Sequence, residues 1–136
     1  MTAPAVSLGY VILYVEDVAA SLRFYEAAFG LPQRFFHDES GKAYGELASG
    51  ETRIAFASLA AAREHLGQDV IAASPAAAPL GVEIALVSAD VPSLFTRAVE
   101  AGAQPVREPA VKPWGQTVAY VRDNAGHLVE LCTPMP

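Results

Sequence analysis

Glu130 stands where a carboxylate is costly. It lies in His127-Leu128-Val129-Glu130-Leu131-Cys132, an alternating run that reads as a strand. Alternation sends Val129 and Leu131 to one face and Leu128, Glu130 and Cys132 to the other. An acid between apolar neighbours must be paired, ligated or wet, so Glu130 is the first candidate for chemistry. The three histidines are weaker candidates. His37 lies near a turn, His65 in a polar helix-like segment and His127 just after a hairpin glycine. Each reads as a solvated surface imidazole, with His37 placed to reach the mouth of a cleft. Cys132 is the only cysteine, which excludes an intrachain disulfide and a cysteine-based zinc site.

The elements that would position Glu130 form a repeat. Tyr10-Val11-Ile12-Leu13-Tyr14-Val15 reads as a strand. Asp17 then caps a helix over Val18–Phe29, whose Val18, Leu22, Tyr25 and Phe29 make one apolar stripe. Gly30 and Pro32 end it. Strands are expected over 33–37, 43–47 and 52–57, with a short helix or surface excursion over 58–66. Gly45 inside its strand signals a bulge or a close backbone approach, and the face taken by Glu46 depends on which. The Ala- and Pro-rich stretch VIAASPAAAPL ends the connector. A second strand over 83–87, a helix from Val91 to Ala101 capped by Asp90, a strand over 104–107, a loop over 108–113 and the hairpin 115–133 around Asp123-Asn124-Ala125-Gly126 repeat the plan.

Each half is therefore strand, helix and three strands. The expected fold is α+β: two βαβββ modules, about 8–57 and 82–133, in one domain spanning 1–136. They form a curved mixed sheet with helices on its convex face and a concave ligand cleft.

Composition narrows the partners. The chain has 136 residues, 52% of them apolar and 18% charged, enough for one real core. A net charge of −6 and no basic stripe disfavour nucleic acid and anionic membranes. No apolar stretch approaches the roughly 18 residues of a membrane helix. The start shows no secretory signal, and a reducing, cytoplasmic setting is expected.

Val11-Ile12-Leu13-Tyr14-Val15-Glu16-Asp17-Val18, Ser21-Leu22-Arg23-Phe24-Tyr25, Phe29-Gly30-Leu31, Trp114-Gly115 and Asp123-Asn124-Ala125-Gly126-His127-Leu128-Val129-Glu130-Leu131 together resemble the vicinal oxygen chelate superfamily. Its members include glyoxalase I, bleomycin-resistance proteins, fosfomycin-resistance enzymes and extradiol dioxygenases. The fold hosts several chemistries, so the resemblance speaks to fold first.

In metal-dependent members, four strand positions supply ligands to the cleft, usually His and Glu. At the matching positions this chain has Tyr10, Ala55, Glu83 and Glu130. One position is retained, one is a substitute and two are lost. The resemblance implies a cleft lined by Tyr10, Ile12, Tyr14, Arg53, Ala55, Glu83 and Glu130. Trp114 serves equally as a cleft wall, a core cover or a subunit contact. Of the two carboxyls, one should titrate high unless Arg53 pairs with them.

Two functions follow as expectations. The first is a metal-independent protein that holds a partly aromatic or cationic small molecule, with no cofactor. The alternative is a lyase, isomerase or dioxygenase using a divalent metal on Glu83 and Glu130. The resemblance and the exposed sheet edges both imply a homodimer.

Overall fold

The computed structural model describes residues 2–136. It contains β1 (Tyr10–Val15), α1 (Val18–Phe29), β2 (Gln33–Glu39), β3 (Lys42–Leu47), β4 (Arg53–Ser58), α2 (Leu59–Leu66), β5 (Glu83–Val87), α3 (Val91–Glu100), β6 (Gln104–Val111), β7 (Thr117–Arg122) and β8 (Leu128–Cys132). The repeat is realised as two mixed sheets, ordered β1-β4-β3-β2 and β5-β8-β7-β6. In each, the first strand pairs in parallel with the last and the other pairings are antiparallel. The expected curved surface is thus divided between two hydrogen-bonded ladders, one per module.

Local chemistry explains the helices. Asp17 accepts from the Ala20 amide at 3.0 Å, and Gly30 closes α1 in the left-handed region at φ 70°. Asp90 caps α3 through the Ser93 amide, with Pro92 in the first turn where its missing N–H costs nothing. Ser58 caps α2 through the Ala61 amide. No helix among the described residues is long and apolar enough to cross a membrane.

One core serves both modules. Val18, Leu22, Tyr25 and Phe29 of α1 are buried with Leu13, Ile54 and Phe56 of the first sheet and Val121, Val129 and Leu131 of the second. The helices α1 and α3 pack against each other. The Arg97 guanidinium donates from Nε to the Ala27 carbonyl at 2.9 Å and from Nη2 to that of Glu26 at 3.2 Å. This adds donors at the end of α1, where the Glu26 carbonyl also accepts from the Gly30 amide at 3.0 Å.

One expectation needs correction, and one pair of alternatives is resolved. β6 runs through residues 108–111, which read as loop. It is an edge strand with register shifts at 105/107 and 107/110, the setting in which a sheet tolerates proline. Gly45 marks a close approach rather than a bulge in its own strand: a β-carbon there would lie 2.5 Å from Leu22 Cδ1. The register shift falls on the facing strand, between Gln33 and Phe35.

Candidate functional site

Each sheet has a helix-covered face and an opposite face, and the expected site residues other than Trp114 belong by register to the latter. On the first sheet, register aligns Tyr10 with Arg53, Ile12 with Ala55 and Glu46, and Tyr14 with Ala57 and Tyr44. Leu13 and Val15 point the other way, into the core. On the second sheet Ala85, Glu130 and Tyr120 share a row, with Glu83 one row away beside Leu128.

The centre of the first face is Glu46, which sequence parity left unplaced. It is buried, and its Oε1 is paired with Arg34 Nη1 and lies 3.7 Å from Arg53 Nε. The Tyr44 hydroxyl donates to Oε2 at 3.3 Å. Arg34 reaches Glu46 because the register shift in β2 lets two residues stand opposite one. Burial, and then the neighbouring Glu46 charge, raise the Tyr44 phenol above its ordinary value. Phe35 stacks on Tyr44 with ring centres 5.8 Å apart and tilts against His37 at 5.2 Å. This corrects one expectation: Arg53 is committed to Glu46 and does not relieve Glu83 or Glu130.

The centre of the second face is Glu130. It accepts from the Tyr120 hydroxyl at 3.1 Å. The Glu83 carboxyl is raised above the usual range, by partial burial first and then by the neighbouring Glu130. The Cys132 thiol is raised as well, by burial first and then by Glu130. A thiol shifted that way is a poor nucleophile.

The two half-sites stay apart within one chain. Tyr10, Ile12, Tyr14, Tyr44 and Ala57 line a cavity of about 500 Å³ on the first face, walled by α2. Tyr120, Arg107 and Lys112 border another of about 720 Å³ on the second. A third of about 270 Å³, between the end of β1 and residues 72–75, touches neither half-site's acids. Ala55 is fully buried beneath its neighbours. Trp114 projects from the β6–β7 hairpin, 56% exposed, and donates to Gln116 Oε1 at 2.7 Å, lining none of these cavities.

His127 is not a surface imidazole. It is buried, with Nδ1 3.2 Å from Asp123 Oδ2. Asp123 also receives the Tyr25 hydroxyl at 2.6 Å and the Ala125 and His127 amides at 2.9 and 2.8 Å. Burial alone would raise the Asp123 carboxyl, but the bonds from His127 and Tyr25 outweigh it and hold it below the ordinary value. This network ties α1 to the second module's turn and stands away from both open faces. His37 is exposed on β2, and His65 on α2 joins the lining of the first cavity.

The donor set can be tested against the divalent metal that the resemblance implies. Glu83 and Glu130 supply carboxylates, one already receiving a phenolic proton, and no group of three or more His, Cys, Asp or Glu converges among the described residues. Two such donors in one chain fall short of a protein-built divalent site. The residues present do not fit the metal.

Comparison with known proteins agrees with this architecture. The family described as Glyoxalase/Bleomycin resistance protein/Dioxygenase superfamily matches residues 7–131. The chain belongs to that superfamily. Among solved structures it is similar to a glyoxalase-related enzyme from Fulvimarina pelagi, at 25% identity and TM-score 0.78, covering 94% of this chain and 88% of that one. It is similar in fold to a superfamily enzyme from Burkholderia phytofirmans PsJN, at 18% identity and TM-score 0.72 over 94% and 98% of the two chains. It is also similar in fold to TioX from Micromonospora sp. ML1, at 24% identity and TM-score 0.69 over 93% and 98%. A search of curated protein sequences gave no match.

Proposed function

We infer that this superfamily member is a small-molecule-binding protein that works without a metal, on the open faces of its sheets. The observation that carries this reading is the first face. It keeps an aromatic-walled cavity of about 500 Å³, within the usual size of a small-molecule site, while the metal-ligand positions hold Tyr10 and Ala55. The ligand is partly aromatic or cationic. Aromatic surface is offered by Tyr10, Tyr14 and Tyr44, and negative charge by Glu130 and Glu83 on the second face.

The complete cleft is assigned to a homodimer, in which the first face of one protomer meets the second face of its partner. Exposed apolar side chains on and beside these faces support it: Tyr10, Val87, Val106, Val111 and Trp114. The unpaired edges of β1 and β5 support it too. The single buried cysteine and the acidic charge fit a reducing, cytoplasmic compartment and no nucleic-acid partner.

The test is elemental analysis of untreated protein, a thermal-shift panel of metals and drug-like ligands, and a solution mass. Expected are no stoichiometric metal, a melting temperature raised by organic ligands and a dimeric mass. Stoichiometric metal that is lost in Glu130→Gln would instead establish the metal-dependent alternative on Glu83 and Glu130.

A further inference from the structure

We propose that the first face holds a preformed slot, between Tyr14 and Tyr44 and closed at one end by α2, that takes one flat aromatic ring system. The inference rests on the small-molecule-binding reading and names the ligand class for one half of the cleft.

Three features of the fold build the slot. Tyr14 on β1 and Tyr44 on β3 both stand in register with Ala57 on the strand between them. Two strand spacings separate their backbones by roughly 9.5 Å. A flat ring in contact with both phenols needs about 7 Å between their planes, at about 3.5 Å per contact. The proposed slot requires the two rings to lean inward by that difference. Two stacked layers would need about 10.5 Å on the same contact distance and do not fit. The floor is Ala57, whose single methyl leaves the space above it open, and Tyr14, Tyr44 and Ala57 all line the same cavity.

The wall is anchored before any ligand arrives. Ser58 Oγ accepts from the Ala61 amide at 3.2 Å and from the Ala43 amide at 3.1 Å, so the start of α2 is tied to the start of β3. Lys42 Nζ donates to Glu64 Oε1 at 3.0 Å, tying the same strand to the body of the helix. Ala61, Glu64 and His65 of α2 complete the lining, with Glu39 and Lys42. Aromatic walls bordered by Glu39, Lys42, Glu64 and His65 select a planar molecule with a hydrogen-bonding edge. A slot already ordered in the free protein loses less entropy on binding.

The internal repeat shows that the slot is not imposed by the fold. The equivalent row of the second module reads Val87, Cys132 and Val118. It has no facing rings.

The experiment uses 2-naphthol as the flat probe and decahydro-2-naphthol as its saturated, puckered counterpart, each titrated into the full chain by calorimetry. We expect 2-naphthol to bind at least roughly tenfold more tightly, because only the flat ring meets both phenols. Ala57→Leu should abolish 2-naphthol binding by filling the floor. Tyr14→Leu and Tyr44→Leu, which keep bulk and lose the ring, should each weaken it roughly three- to tenfold. Glu100→Gln, exposed on α3 and outside the lining of the slot, should leave it unchanged. Far-UV circular dichroism and melting temperature establish that each variant is folded, and the two leucine variants carry the test if Ala57→Leu does not fold. Equal affinity for both probes, no 2-naphthol binding, or full binding by both tyrosine variants overturns the slot. If drug-like ligands still raise the melting temperature in that case, the broader binding reading survives without it.

Discussion

Removing one oxygen from the core should show how the two modules are held together. In Tyr25→Phe the ring keeps its edge-on and tilted contacts with Phe24, Phe29 and Phe56, at centre separations of 5.9, 5.1 and 5.1 Å. Only the 2.6 Å bond from the hydroxyl to Asp123 is lost. A buried bond to a charged acceptor contributes about 1.5–3 kcal/mol. Asp123 retains its two amides and His127, so the lower half of that range is expected, about 2 kcal/mol. In a chain of this length that lowers the melting temperature by about 6–10 °C. The pH dependence has a definite sign. Asp123 is lowered in the folded state, so its contribution is full above its unfolded value and is lost as pH falls through the folded one. The gap between wild type and Tyr25→Phe should be widest at neutral pH. Below about pH 4 it should shrink toward the ~1 kcal/mol of a neutral bond. Urea unfolding at pH 7 and pH 2.5 measures both. A gap below ~0.5 kcal/mol at pH 7, within the range of an inert substitution, would refute the reasoning, as would a gap equal at the two pH values.

Other consequences are equally direct. Gly126→Ala should destabilise by more than ~2 kcal/mol, since its φ is 97° and a β-carbon would meet the Ser74 backbone at 2.5 Å; Gly41→Ala, at φ 83° with open space around it, should cost only the ~1 kcal/mol of backbone strain. Arg122→Ala should cost about 2–4 kcal/mol, because the guanidinium donates to the Gly126, Ala77 and Ser74 carbonyls in a buried setting, and amide exchange over residues 72–78 should accelerate in the variant. Glu130→Gln should return the Glu83 carboxyl toward its ordinary range in an NMR titration. Because a raised carboxyl contributes stability at low pH that is lost as pH rises, this variant should be slightly more stable than wild type at pH 7, by under ~0.5 kcal/mol after solvent screening. A Glu83 titration unchanged in that variant would break the proposed coupling.

What was legible in the sequence is what folding itself needs. Asp17, Asp90, Gly30 and the stripe Val18, Leu22, Tyr25, Phe29 are local signals, and the helices they delimit stand where those signals place them. The repeat was legible because both modules need the same buried pattern, as in Leu13 and Leu86, Ile54 and Val129, or Phe56 and Leu131. His127 was misread because polarity alone does not announce burial. The spacing Asp123 to His127 across a glycine turn was the available clue, since an aspartate can accept from its own turn's amides. Its bond with Tyr25 spans 98 residues and has no local signature. Glu46 escaped for a related reason. Plain alternation puts it on the face of Tyr44, but its partner Arg34 follows from a register shift in the strand opposite, which nothing in its own strand encodes.

The open faces are less legible because the fold does not depend on them, and that freedom explains how they have diverged. Each sheet carries one carboxylate near the centre of its open face, but on non-equivalent strands: Glu46 on β3 in the first module, Glu130 on β8 in the second. Their environments solve the same desolvation problem in opposite ways. Glu46 is neutralised by Arg34 and Arg53, which leaves an excess of positive charge beside an aromatic wall. Glu130 has no cation paired to it among the described residues; a phenol donates to it, and the adjacent Glu83 carboxyl is raised, by burial first and then by Glu130. The first arrangement is closed and positions tyrosines, while the second remains able to accept a cation or release a proton. Two faces so unlike, carried on one repeated scaffold, argue that the repeat's symmetry is kept for packing; under the binding function proposed above, shape would be read by the first module and charge by the second.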